Sequence, residues 1–343
     1  MLDTYRILMT AAPEATAAAL DELRFGKHSI GTSELAPGVV LVELEQPLDE
    51  WRADLAKRPP VFVRHLAPVH RELVLDGTPA DLDRLERIAT VLAEHLPPAE
   101  SFAIQTRLLV DDDNLLSRFE VNERLAAAVA AECGIPLDVR QPAGIISVAL
   151  TGERGYLGVS PVEFNRSSWA GGAQRFAREQ GQISRAEFKL LEAQSVFGFA
   201  WPDWGQALDL GAAPGGWTRI LRRAGLPVVA IDPAEMDPRL AGDPEVRHLQ
   251  TLAQRFLPTA ERFSVIVNDL RMDARDSAWL MNEAAPALDR DGIGVITLKL
   301  PHENFARIAY HALSILRNAY TVAGARQLFH NRSEVTALLR PKA

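Results

Sequence analysis

Asp209-Leu210-Gly211-Ala212-Ala213-Pro214-Gly215-Gly216-Trp217-Thr218 is the stretch on which the reading of the fold turns. A short apolar run, Ala207–Leu210, passes into a glycine-rich turn and then into a helical segment. Glycines let a backbone approach a ligand closely, and the first turn of a helix leaves N–H groups free for a carboxylate. Asp232 closes the next strand-like run, Pro227–Ile231. An acid at that place can accept hydrogen bonds from both ribose hydroxyls of a nucleoside cofactor. The turn reads G-A-A-P-G-G, stiffened by Pro214, and lacks the second glycine of the dinucleotide pattern G-x-G-x-x-G.

Outward from that turn, Val265–Asn268 and Gly292–Leu298 are further strand-like runs alternating with helical segments, from Ser184 onward. This alternation predicts a parallel, doubly wound α/β sheet. Asn304–Asn318 is amphipathic, with Phe305, Ile308, Ala312 and Ile315 on one stripe. Two strand-like runs, Thr321–Leu328 and Glu334–Leu339, close the chain across the turn Phe329–Ser333. Upstream the pattern is α+β: strands at Tyr5–Met9, Val39–Glu43 and Phe102–Leu109, helices at Glu14–Leu23, Ala80–Leu96 and Arg118–Cys133. A hairpin follows, Ile145–Leu150 with Gly155–Val159 across Thr151–Arg154. Asn165–Ile183, rich in Gly, Ser, Arg and Gln, reads as an interdomain connection. The expected organisation is therefore an N-terminal α+β region over 1–163, a linker over 164–183 and a Rossmann-like domain over 184–343.

Composition narrows the function classes. The 343 residues are 47 % hydrophobic and 24 % charged, the profile of a globular protein with a large core. No apolar run reaches the ~20 residues of a membrane-spanning helix. No secretory signal is visible at the N-terminus, and the single cysteine, Cys133, excludes disulfide frameworks and Cys-based zinc sites. A cytoplasmic protein is the expectation. The net charge of −8 counts against a polyanionic partner. Locally, though, residues 165–189 hold Arg166, Arg175, Arg178, Arg185 and Lys189 against two acids, and residues 317–343 hold Arg317, Arg326, Arg332, Arg340 and Lys342 against Glu334 alone. A basic patch on one face can bind RNA while other faces stay acidic.

DLGAAPGGWT resembles the first motif of the FtsJ-like ribose 2′-O-methyltransferases, and the resemblance covers Ser184 to Arg340. It implies S-adenosylmethionine as cofactor, held by Asp209, Gly211, Ala213, Pro214, Gly215, Gly216, Trp217, Asp232 and Asp269, with no metal. It also implies a Lys-Asp-Lys-Glu set at the target hydroxyl. Each member has a match: Lys189 in SRAEFKLLEA, Asp269 after SVIVN, Lys299 after GVITL and Glu334 in HNRSEVTALL. The stretches RSSW, TLKLPHE and ARQLFHNRSEVTALLR narrow the likeness to the RlmM-type enzymes, which modify a cytidine ribose in 23S ribosomal RNA and carry a THUMP-containing N-terminal region. SFAIQTRLL and LDVRQPAGIISVALTGERGYLGVS are similar to THUMP segments, an RNA-binding module. The chain departs from the family at Arg247–Ala253, where Gln250 or Thr251 stands in place of an acid that contacts adenine.

Such a set suits the chemistry. A ribose hydroxyl is a weak acid and a poor nucleophile, so the enzyme aligns it and helps its proton leave. Lys299 is expected to accept that proton or to stabilise the developing alkoxide. As a base it would need a lowered pKa, which burial and the neighbouring Lys189 cation would promote. Asp269 and Glu334 would orient the two ammonium groups. Methylation of tRNA or another RNA remains open at this level, as does an RNA-binding protein that keeps the fold without the activity. Base methylation fits less well: Cys133 lies far from the motif block, and Asn268-Asp269-Leu270-Arg271 is not the Asn/Asp-Pro-Pro-aromatic motif of amine methylation.

Overall fold

The computed structural model describes residues 4–24, 31–96, 101–110 and 116–342. The chain divides into two units, Met1–Gln174 and Arg175–Ala343.

The first unit holds two small sheets. In its first half β1 (Arg6–Thr10), α1 (Thr16–Leu23), β2 (Gly31–Ala36), β3 (Val39–Glu43), α2 (Leu48–Lys57) and β4 (His65–Pro68) build a sheet of order β2-β3-β1-β4. All its pairings are antiparallel. The second half contains β5 (Arg71–Val74), α3 (Ala80–Ala93), β6 (Phe102–Leu108), α4 (Arg118–Cys133), β7 (Gly144–Leu150) and β8 (Arg154–Pro161), with sheet order β5-β8-β7-β6. Here β6 and β7 are parallel, joined by the α4 crossover. Ser117 caps α4 by accepting from the Glu120 N–H, and Gly134 ends it at a positive φ of 66°. Leu82, Leu85, Ala89 and Leu92 of α3 bury against Val121, Leu125 and Val129 of α4 and against Ile146, Val148 and Leu157 of the sheet. The two sheets meet backbone to backbone: a Cβ at Gly158 would stand 1.8 Å from the Pro68 carbonyl oxygen.

Residues 164–174, expected as the start of a linker, belong to this first unit. Asn165 is fully buried, accepting from Ser160 Oγ at 2.9 Å and donating to the Leu66 carbonyl at 2.9 Å. Polar composition reads as linker in sequence, but here one amide satisfies two strands at once. The strands β2, β4 and β5 and the helix α2 were not anticipated either. The stretches GTSELA, HLAP and RELV mix polar and apolar residues with neither an apolar run nor a strict alternation.

The second unit is one seven-stranded sheet. It comprises α5 (Ala186–Phe197), β9 (Ala207–Leu210), α6 (Gly216–Arg223), β10 (Val228–Ile231), α7 (Pro238–Ala241), β11 (Val246–Leu249), α8 (Ala253–Phe256), β12 (Phe263–Asn268), α9 (Ala274–Ala284), β13 (Leu288–Lys299), α10 (Phe305–Leu316), β14 (Tyr320–Arg326) and β15 (Glu334–Pro341). The order is β11-β10-β9-β12-β13-β15-β14. The five strands β9 to β13 run parallel, and β15 is antiparallel to both β13 and β14. The sheet is thus a Rossmann-like α/β sheet with an antiparallel edge, a mixed sheet rather than a wholly parallel one. Its strands are apolar on both faces, as Leu208, Ala230, Val265, Val267 and Val295 show, because helices cover both. On α10 the buried positions are Ala309, Ala312, Leu313, Ile315 and Leu316, so the core face is turned from the expected stripe and leaves Phe305 and Ile308 half-buried.

Strand order reverses between β9 and β12. At such a switch point the crossovers leave toward opposite sides, and a crevice opens at the carboxyl ends of the strands.

Candidate active site

The crevice at the strand ends is a cavity of about 890 Å³. It is lined by Gly211, Ala212, Ala213, Pro214, Gly216 and Trp217 of the turn after β9, by Asp232 after β10, and by Lys189, Asp269, Lys299 and Glu334. Residues from six elements widely separated in sequence therefore face one space.

The turn after β9 is shaped by contacts within the protein. Gly211 has a φ of +82°, and a Cβ there would approach the Leu270 backbone nitrogen at 3.0 Å. Only glycine allows the β9 and β12 loops to lie that close. Gly215 has a φ of +116°, but its absent Cβ would meet Leu240 Cδ1 at 2.2 Å and Met236 Cε at 3.0 Å. Of the expected cofactor residues, Gly215 therefore faces an apolar cluster rather than the cavity. Trp217 is buried and donates from Nε1 to the Ala186 carbonyl at 2.8 Å, tying α6 to α5.

Asp209 also departs from expectation. It is fully buried in β9 and does not line the cavity. Its Oδ2 accepts from Thr218 Oγ1 at 2.6 Å, while Oδ1 has no partner. Burial pushes its carboxyl up to about 7, against the Thr218 hydrogen bond that pulls it down. Asp232, by contrast, faces the cavity with its carboxylate fixed: Oδ2 accepts from the Ala213 N–H at 3.1 Å and Oδ1 from the Ala234 N–H at 2.8 Å. In the segment that departs from the family pattern, the residue on the cavity wall is the half-exposed Leu252, not Gln250 or Thr251.

The four charged residues meet in one cluster. Lys299 ends β13 and Glu334 begins β15, and the antiparallel register makes them direct cross-strand partners. Such pairs put both side chains on one face of the sheet. Asp269 follows β12, and Lys189 reaches in from α5. Lys189 Nζ lies 2.8 Å from Glu334 Oε2 and 3.4 Å from Asp269 Oδ1. Lys299 Nζ lies 3.2 Å from Glu334 Oε1 and contacts Asp269 Oδ1. All four side chains are only 14–19 % exposed. Each ammonium thus faces two carboxylates.

That arrangement sets the electrostatics of Lys189. Burial pulls the Lys189 pKa down, but Asp269 and Glu334 outweigh it and the net shift is upward. The neighbouring cation does not dominate, because two anions stand between the lysines. Lys189 stays an ammonium, and Lys299 shares the same carboxylates.

Three further groups belong to the site. Thr297, two residues before Lys299 and on the same face of β13, contacts both Asp269 and Lys299 through its hydroxyl. Period-two alternation from Lys299 was the signal that could have singled it out. Arg271 and Arg332 line the cavity from exposed positions and carry no carboxylate partner among the described residues. Among the described residues no group of three His, Cys, Asp or Glu is arranged to hold a metal ion, and no helix is long and apolar enough to cross a membrane.

Comparison with known proteins bears on this geometry. Residues 182–307 match the family model of the FtsJ-like methyltransferases, a range that takes in Lys189, Asp269 and Lys299 and stops short of Glu334. The chain is similar to the ribosomal RNA large subunit methyltransferase M of Halorhodospira halophila, 36 % identical over 200 residues and 55 % of each chain. It is 30 % identical to the protein of that name from Cellvibrio japonicus over 279 residues, 77 % of this chain and 78 % of that one. With the one from Laribacter hongkongensis the identity is 29 %, over 97 % of this chain and 94 % of the other.

Proposed function

The chain belongs to the ribosomal RNA large subunit methyltransferase M family, and on that premise we propose that it moves a methyl group from S-adenosylmethionine to the ribose 2′-hydroxyl of a cytidine in 23S ribosomal RNA, in the cytoplasm. The observation that carries this reading is the convergence of Lys189, Asp269, Lys299 and Glu334 on one wall of the cavity that the glycine turn and Asp232 also line.

The cavity suits the cofactor. About 890 Å³ lies within the range of small-molecule sites. Asp232 would take the ribose hydroxyls, the backbone of Gly211–Ala213 the methionine end, and Leu252 would pack on the adenine, which explains how the site manages without an acid there. S-adenosylmethionine supplies a methyl group already activated by its sulfonium charge. The chain's own residues have the other half of the task. Lys299, fixed by its cross-strand pairing with Glu334, holds the hydroxyl oxygen and stabilises the alkoxide as it develops. Lys189 keeps Asp269 and Glu334 in place from the other side. The hydroxyl proton leaves to a carboxylate oxygen of this cluster, whose charges balance. Of the two roles open to Lys299, its contacts with the carboxylates of Asp269 and Glu334 favour the electrostatic one over that of a neutral base.

RNA would reach this wall past Arg271 and Arg332, two exposed guanidiniums suited to the phosphates that flank the target ribose. The first unit is read as the THUMP-like RNA-binding part, since the segments similar to that module form β6 and the β7–β8 hairpin.

The test is methylation of 23S ribosomal RNA taken from cells that lack this activity, with S-adenosylmethionine, followed by mass-spectrometric mapping. Methyl groups on one cytidine ribose are expected. A methylated base, or transfer to tRNA but not to 23S RNA, would overturn the reading.

A further inference from the structure

Glu192 lies three residues after Lys189, one turn along α5, and is 2 % exposed. Its Oε1 accepts from the Phe329 N–H at 2.7 Å, and its Oε2 from the His330 N–H at 2.8 Å. The His330 ring nitrogen Nδ1 lies 2.8 Å from the same Oε2. Three polar groups of one turn therefore converge on a single buried carboxyl. A carboxyl is costly to bury, and apolar packing alone would not call for one.

The turn it holds leads straight into the site. Asn331 accepts on Oδ1 from the Leu328 N–H at 2.9 Å and from Thr336 Oγ1 at 3.0 Å, and its Nδ2 lies 3.4 Å from Glu334 Oε2. The His330 ring packs 5.3 Å from the Phe188 ring and 5.5 Å from that of Phe176. Phe188 directly precedes Lys189 in the chain. Glu192 thus spans the same two elements, α5 and the entry to β15, that Lys189 and Glu334 bridge across the active-site wall at 2.8 Å.

We infer that Glu192 is a positioning residue for methyl transfer: by clamping the turn Phe329–Ser333 to α5 it sets the Lys189–Glu334 contact. The inference rests on the proposed role of the charged cluster. Side chains that act on a reacting group must be held to a fraction of an ångström by partners that do not touch it. The backbone of a five-residue turn does not supply that rigidity alone.

A double-mutant cycle tests it. Single-turnover methyl transfer at saturating RNA and S-adenosylmethionine is measured for wild type, Glu192→Gln, Glu334→Ala and the double variant, together with the cofactor Kd and the RNA KM. Glutamine keeps the size but sets an amide N–H₂ against the backbone donors. Glu192→Gln is expected to slow transfer on the order of tenfold while Kd and KM stay within about twofold. In the Glu334→Ala background it should cost nothing further, since the group it positions is gone. A merely structural residue would give losses that multiply. His330→Ala, which removes the ring with its Nδ1 and aromatic contacts but keeps both backbone donors to Glu192, should show a smaller loss with the same pattern, and it carries the test if Glu192→Gln does not fold. A slow Glu334→Ala with an unimpaired Glu192→Gln, or losses that multiply, overturns the inference alone. A Glu334→Ala variant at wild-type rate overturns the role of the cluster and this inference with it.

Discussion

Replacing Asp209 by asparagine separates two roles for the acid of the glycine motif. Sequence places it among the cofactor ligands; in the structure it is fully buried with one oxygen unpartnered, and its pKa is raised from 3.8 to about 7. A rise of about 3 units corresponds to about 4 kcal/mol between protonation states. The sign follows from linkage: the folded state holds the proton more tightly than the unfolded chain does. The favourable contribution is therefore fully present below about pH 4, falls away as pH rises toward 7, and is absent above. Asparagine cannot ionise. It places an N–H₂ where Oδ1 has no partner, a constant cost of roughly 1–3 kcal/mol. The stability difference, variant minus wild type, should then rise by up to about 4 kcal/mol between pH 4 and pH 8. Urea unfolding at a series of pH values reads it, and contributions from other groups cancel between the two proteins. Calorimetry at pH 8 should show an S-adenosylmethionine Kd within a few-fold of wild type. A flat stability difference, or a Kd raised tenfold with no change in the stability profile, would refute the buried-carboxyl account and restore Asp209 as a ligand.

Asp232→Ala should weaken S-adenosylmethionine binding by about 1–3 kcal/mol, since it removes the facing carboxylate and the anchor of the Ala213 N–H; an unchanged Kd in calorimetry would move the ribose site elsewhere. Lys299→Ala should leave that Kd nearly unchanged and slow single-turnover transfer by about 100-fold or more, the scale of a lost oxyanion contact; restoration of the rate by excess RNA would reassign the lysine to phosphate binding. Gly215→Val should destabilise the fold by about 2–4 kcal/mol, through its φ of +116° and its collision with Leu240, rather than by filling the cavity; an unchanged Tm with lost cofactor binding would contradict the placement. Arg271→Ala and Arg332→Ala should each lower the slope of log affinity for RNA against log salt by about one, with kcat at saturating RNA near wild type; an unaltered slope removes that residue from the RNA path.

Local pattern was enough to place the Rossmann-like domain and the elements that carry the site. The apolar run before DLGAAPGGWT, the acid after the next strand, the capped α4 and the β7–β8 hairpin are all written in neighbouring residues. Propensity, periodicity and turn chemistry act over a few positions, and so they can be read from the chain. The short strands β4, β5 and β11 escaped, because His65–Pro68, Arg71–Val74 and Val246–Leu249 mix polar and apolar residues without the apolar run that marks the equally short β10.

By itself, then, the sequence determined which residue types stand at the ends of which strands, including the four charged residues and Asp232. Only the tertiary structure decided what those residues meet. Lys299 and Glu334 are paired by the register of β13 against β15, a contact across 35 positions that no local rule specifies. That register, with α5 laid against the turn at Phe329, places two carboxylates between two lysines and so raises the Lys189 pKa against the pull of burial. Burial likewise removed Asp209 and Gly215 from the cavity, although both stand inside the motif that identifies it. The strand end, where Asp232 emerges, faces the crevice; a residue one turn or two positions away faces the core. Charge and packing depend on neighbours in space, and those are fixed only when the sheet closes.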